Sequence, residues 1–209
     1  MEVVEFLDKA FLPLFVTFAY IAIYFYRIKI FNRIKKHVNK KPFLDAIRML
    51  ANNFRFNIGN FWLTIIIPMI LAISLDVAIM YIFKLPMRPY PEPFWFGITV
   101  RSFFNPVSEE VLARGFIFGV FFLSTVTLVE KLYKVKFNQI LKYVWVAASL
   151  FLQATVFAVS HENPALFNWA IRISSGLLYG ILYLAYKRNL LPPIIAHITH
   201  NLLITLTGY

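Results

Sequence analysis

Glu109 and Glu110 stand side by side in an apolar stretch, and Arg114 follows four residues after the second. Charged side chains in a hydrocarbon setting are expensive and by default mark function. Glu110 and Arg114, four apart on a helix, share a face and can pair. Glu109 points about 100° away at helical pitch, which leaves one carboxylate for chemistry. His161 occurs later in similar apolar surroundings, and His197 and Asn201 later still, again four apart. Brought together, these groups can assemble a water-activating centre within a membrane.

Each residue also has a plainer reading. Acidic residues favour the first turn of a helix, where the macrodipole is positive. A histidine at a helix end can sit at the membrane interface. His197, His200 and Asn201 can act as hydrogen-bonding glue between transmembrane helices, although three such groups so close together on one apolar helix are hard to explain as packing. His200 reads as a supporting or structural group. Asp76 and Arg172 also fall within apolar runs, where each reads as a stabilising partner for another charge, outside the site.

The setting follows from composition. Of the 209 residues, 60% are hydrophobic, and the mean hydropathy is +0.68. Soluble domains run at about 45–50% apolar, so the excess points to a polytopic membrane protein. The formal charge is +11, a balance that raises nucleic acid as a partner for a basic chain. Here, however, the basic residues gather at the edges of apolar runs. Arg27, Lys29, Arg33, Lys35, Lys36, Lys40, Lys41, Arg48 and Arg55 fall in one stretch. That pattern fits a loop held against anionic lipid, and no nucleic-acid partner is expected. The chain has no cysteine, which excludes disulfides and thiolate metal sites.

Apolar runs of about 20 residues cross a bilayer. The first extends from about Ala10 to Tyr26 and lacks a small-residue cleavage site, so it reads as a retained helix. Phe43 to Phe54 reads as an amphipathic surface helix. The second span covers about Phe61 to Phe83. A proline-rich linker follows, and Phe94 to Phe104, too short to cross, reads as a short or re-entrant helix. The third span is expected to start at Pro106, with Asn105 as its cap, and to end near Leu128. The fourth covers about Ile140 to Ser160, the fifth Ala165 to Tyr186, and the sixth opens at Pro192 and Pro193 and ends near Leu206. The expected fold is thus all-α: one transmembrane bundle over residues 1–209, of about six spans plus the short helix. Long uninterrupted apolar runs argue against a barrel, whose strands alternate. Multi-pass insertion, in the cell membrane, is the expected location. Lys and Arg counts between the spans favour both termini outside.

Three stretches, in order, carry a family resemblance: Glu109-Glu110-Val111-Leu112-Ala113-Arg114-Gly115, Phe157-Ala158-Val159-Ser160-His161, and His197-Ile198-Thr199-His200-Asn201. They resemble the CAAX protease and bacteriocin-processing (Abi) family, whose pattern is a Glu-Glu pair with an arginine four after the second, Phe-x-x-x-His, and His-x-x-x-Asn. The resemblance covers residues 94–209, the expected catalytic core. It implies an intramembrane endopeptidase similar to the CAAX prenyl endopeptidase, which removes the last three residues after a lipidated cysteine. It also implies roles. Glu109 with His161 would activate the attacking water, His197 and Asn201 would stabilise the oxyanion, and Glu110 with Arg114 would hold the site's first helix in place.

A metal is the alternative. Glu109, His161 and His197 supply a carboxylate and two imidazoles, enough for a catalytic zinc with an open position. No ligand pair has the usual helical spacing, and His-Glu-x-x-His is absent, so a metal-free mechanism is preferred and no cofactor is expected. The expected partners are membrane lipid and a membrane-associated or lipidated peptide. Prenylated tails are cytosolic, whereas the charge count places the site outside, so the two expectations pull against one another. Two rival readings are a non-catalytic scaffold or self-immunity protein that keeps the fold, and a small transporter or proton relay. The transporter reading is weakened by the lack of an internal repeat.

Overall fold

The apolar side chains of this protein face outward and many of its polar ones face inward. In the computed structural model, which describes residues 48, 50–84, 94–161 and 166–207, the helix α1 (Trp62–Phe83) leaves Ile70 and Val77 more than half exposed and Tyr81 at 85%. Its inward stripe is Thr64, Pro68, Ala72, Asp76 and Ile79. A stripe of small and polar residues under a large apolar exterior suits hydrocarbon surroundings, where helices gain little from burying leucine against leucine and much from close packing and interhelical hydrogen bonds.

Four further helices follow: α2 (residues 94–133), α3 (Gln139–Val159), α4 (Leu166–Ala185) and α5 (Leu191–Thr207). No strand occurs among the described residues. Three helices are long and apolar enough to cross a membrane by length and composition: α1, the stretch Gly97–Glu130 within α2, and α3. The expected first span, Ala10–Tyr26, and most of the expected surface helix at Phe43–Phe54 lie outside the described residues. The end of that helix is not superficial. Asn53 is fully buried and donates to Ser124 Oγ at 2.8 Å, and the Tyr183 hydroxyl donates to its carbonyl at 2.8 Å.

The expected break at Asn105 is not there. Phe94–Phe104 is neither separate nor re-entrant but the opening of α2, and Asn105 has helical angles and donates its N–H to Val100 O. The physical reason lies in the turns. Residues Gly97–Phe104 and Val111–Leu123 adopt widened π geometry, in which each N–H reaches five residues back. Side-chain hydroxyls join the ladder: Ser102 Oγ donates to Gly97 O at 2.7 Å and Ser124 Oγ to Gly119 O at 2.8 Å. A proline in such a helix is tolerated where neighbouring groups re-satisfy the backbone.

The turn from α2 to α3 is closed by Glu130, which accepts from Phe137 N and pairs with Lys142 Nζ, both at 2.8 Å. The Asn138 side chain caps α3 by accepting from Ile140 N. Pro192 and Pro193 lie in the first turn of α5, where a missing N–H leaves nothing unpaired. α5 packs against α1, α2 and α4 and is the central helix, with His197 and His200 both buried on it.

Helices α3 and α4 meet through small residues. A Cβ on Gly176 would sit 3.0 Å from Ala154 Cα, a backbone atom that cannot swing aside. Gly176→Val is therefore expected to destabilise the bundle by about 1–3 kcal/mol through overpacking, read as a lower unfolding temperature in detergent. Ile181→Val on the exposed side of the same helix should change it by less than about 0.5 kcal/mol.

Candidate active site

The sequence expectations converge on one point. Glu109 lies midway along α2, His161 just past the end of α3, and His197 in the second turn of α5. The Nε2 atoms of His161 and His197 lie 3.6 and 3.7 Å from the same atom, Glu109 Oε2. Glu109 and His161 are partly exposed, at 32% and 23% of their side chains, and His197 is almost sealed at 4%. The site thus has a buried floor and an open side.

The tautomers follow from the partners. His161 Nδ1 lies 2.7 Å from Phe157 O, and a carbonyl can only accept. His197 Nδ1 lies 2.9 Å from Glu110 Oε1, which is paired with Arg114. Both rings therefore donate from Nδ1, and in their neutral forms both present a lone pair from Nε2. Two nitrogen lone pairs and a carboxylate oxygen meet at one place. Glu109 Oε2 is buried and has no hydrogen-bond partner within the protein. Three acceptors facing one another call for a shared donor.

Beneath them lies the pair foreseen from the i,i+4 spacing. Arg114 Nη1 donates to Glu110 Oε1 at 3.0 Å, and both side chains have no exposure at all. Arg114 Nη2 donates to Gly176 O at 3.1 Å, and Gln153 Nε2 reaches the same carbonyl at 2.9 Å. The guanidinium lies against the rings of Phe157 and Tyr179, 4.6 and 5.3 Å from their centroids. The Tyr179 ring in turn stacks on His197 at 4.8 Å, and Phe157 packs against His161 at 4.7 Å.

Asn201 lies one turn beyond His197 but makes its hydrogen bond elsewhere. Its Nδ2 donates to Arg101 O at 2.9 Å. The cause is Pro106. In i→i−5 register the amide of residue 106 would bond the carbonyl of residue 101, and proline has no N–H to give. The freed carbonyl takes the Asn201 amide, which has a second N–H to give.

Two residues placed outside the site in the sequence reading belong near it. Asp76, fully buried on α1, pairs with His200 Nδ1 at 2.5 Å, which ties α5 to α1 one turn from the His197 contact with α2. Arg172 on α4 lies within electrostatic range of Glu109. Sequence reasoning also missed Tyr179 and Gln153. Gln153 is a fully buried amide in an apolar helix, and that alone could have marked it. Among the described residues no group of three or more His, Cys, Asp or Glu side chains is disposed to hold a metal ion.

A family model for type II CAAX prenyl endopeptidases, Rce1-like, matches residues 91–203. The match takes in every residue of this arrangement except Asp76, and 113 of the 209 residues. The chain belongs to the type II CAAX prenyl endopeptidase Rce1-like family. No curated protein and no solved structure matches it. As a member of this protease family with three helices apolar enough to cross a bilayer, it is an integral membrane protein.

The buried pair should dominate stability at this centre. Arg114→Met is expected to cost about 3–5 kcal/mol, because it strands the Glu110 charge. Adding Glu110→Gln in the same chain should restore a large part of the loss. Unfolding in detergent would read both, and equal stability of the single and double variants would contradict the pairing.

Proposed function

We propose that this family member is an intramembrane endopeptidase that hydrolyses a peptide bond of a membrane-associated, prenylated polypeptide with water activated by Glu109. The observation that carries the reading is the convergence of His161 Nε2 and His197 Nε2 on Glu109 Oε2. A water molecule has two protons to give and suits a point where three acceptors meet.

In this reading Glu109 takes a proton from the water as its oxygen attacks the scissile carbonyl. His161, fixed by Phe157 O, holds the carboxylate and the water in line. The carbonyl oxygen becomes an oxyanion and needs donors. The second N–H of Asn201 is one. His197 Nε2 becomes another when the proton leaving the water is shared with it, since its Nδ1–H stays on Glu110. Collapse of the tetrahedral intermediate breaks the C–N bond, and the proton passes to the leaving amine. The second water proton, left on the new carboxyl group, is given up to solvent or to the amine as that group ionises, so the products are a carboxylate and an amine or ammonium, and the site returns to its starting protonation. The proposed catalytic groups are thus Glu109, His161, His197 and Asn201, with Glu110 and Arg114 in support. The reading keeps α4 and α5 at bilayer depth beside α1, α2 and α3.

The test is a quenched peptide carrying a lipidated cysteine, incubated with purified protein. Glu109→Gln and His161→Ala should each slow turnover by about 10²–10⁴, the range for a lost general base. Asn201→Ala should slow it by about 10²–10³. Turnover equal to wild type in all three would end the proposal. A chelator should leave the rate unchanged, and a loss restored by added zinc would replace this mechanism with a metal-dependent one.

A further inference from the structure

Away from Glu109 and His161, the same two helices enclose an apolar cavity of about 330 Å³. Its walls are Thr125, Val126 and Val129 from α2, Leu141 and Trp145 from α3, and Phe137 from the turn between them. Glu109 precedes Thr125 by as much sequence as Trp145 precedes His161, so on both helices the cavity lies on the order of 20 Å from the catalytic centre. The hydrocarbon core is about 30 Å thick, which sets centre and cavity toward opposite faces of the membrane. Tyr133 and Tyr143, both exposed beside the cavity, are of the kind that marks the membrane–water boundary.

The walls are apolar although three of their side chains carry polar groups, because each of those groups is already engaged. The Thr125 hydroxyl donates to Phe121 O, and Trp145 Nε1 donates to Phe122 O at 2.8 Å. Lys142, at the edge, is held by Glu130 at 2.8 Å. The same carboxylate accepts from Phe137 N at 2.8 Å, which fixes the turn that bears the Phe137 ring. Water needs several polar partners and finds none here. A dry apolar cavity of about 150 Å³ takes up benzene; this one is about twice that size and suits a run of methylene groups.

The mouth has the opposite chemistry. Lys131, Lys134, Lys136 and Lys142 stand on this turn against the single Glu130, and Lys134 and Lys136 are exposed. A lipid chain gains little by leaving bulk lipid for a groove in protein, so selection falls to the headgroup. Each lysine beside an anionic headgroup is worth roughly fivefold in binding. A zwitterionic lipid brings its own cation to the same lysines and loses that gain.

We infer that the α2–α3 turn is a seat for one anionic phospholipid, with a stretch of its acyl chain in the cavity and its phosphate against Lys134 and Lys136. The seat stands apart from the hydrolytic reading, and neither depends on the other.

Trp145 in the cavity wall supplies the readout. Trp62→Phe, Trp95→Phe and Trp169→Phe together leave it as the single tryptophan. The full chain is placed in phosphatidylcholine vesicles that contain either phosphatidylglycerol or phosphatidylcholine brominated on the acyl chains, since bromine quenches a tryptophan it touches. Brominated phosphatidylglycerol should reach half-quenching at a mole fraction roughly tenfold lower or better, the worth of the two exposed lysines. Lys134→Gln with Lys136→Gln should bring the two curves together. Val129→Phe, which fills the cavity and keeps the lysines, should also remove the preference, and Val126→Leu is a milder filling with the same expected sign. Equal quenching by the two lipids would overturn the seat, as would a preference that outlasts the lysine substitutions. A preference that outlasts both fillings would mean diffuse attraction with no chain in place, and would overturn it too. So would a Trp145 that neither lipid quenches, because protein rather than lipid would then cover the cavity.

Discussion

The structure around the site depends on a single buried ion pair. Glu110 and Arg114 are sealed on α2, yet their remaining hydrogen bonds leave that helix. The carboxylate reaches α5 through His197 Nδ1, and the guanidinium reaches α4 through Gly176 O. A charge pair with no exposure is weak evidence of stability in itself, because desolvation offsets much of its attraction. Here its effect is geometric. It gives three helices one common reference, and the orientation of the His197 ring is set from it. Glu109, next in sequence and turned by one residue, is left facing the open side.

The surrounding packing obeys the same constraint. Water cannot satisfy polar groups within a bilayer, so inward-facing polar side chains must find one another. Asp76 finds His200, Gln153 finds Gly176 O, Asn53 finds Ser124, and Asn201 finds Arg101 O. These links run between different segments of the chain, most of them distant in sequence, and they do the locating that a hydrophobic core does in water. The outward faces of α1 and α3, with Val77, Tyr81, Val144 and Phe151 exposed, have only to be greasy.

Much of this was legible in the residues. The limits of α1, α3, α4 and α5 followed from apolar run length and from the prolines at 192 and 193. The pairing of Glu110 with Arg114 and the packing of Phe157 on His161 followed from i,i+4 spacing, and the meeting of Glu109 with His161 from the antiparallel course of α2 and α3. What could not be read was set by long-range contacts. The π turns of α2 have no simple local signature, so Asn105-Pro106 read as a helix start. The partners of Asp76 and Arg172 lie on other helices, and nothing near either residue names them. Asn201 was expected to aim at the reaction centre, whereas one of its amide hydrogens goes to a backbone carbonyl on α2.

That carbonyl carries a further consequence. Pro106 removes one rung from the hydrogen-bond ladder of α2, and the vacated acceptor at Arg101 fixes the height of Asn201 on α5. The docking address between the two helices is thus written in the main chain as a deletion rather than as a side chain. A better helix former at position 106 would supply the missing amide and contest the acceptor. Improving α2 as a helix would then loosen its grip on α5, so this stretch trades local regularity for the alignment of its neighbour.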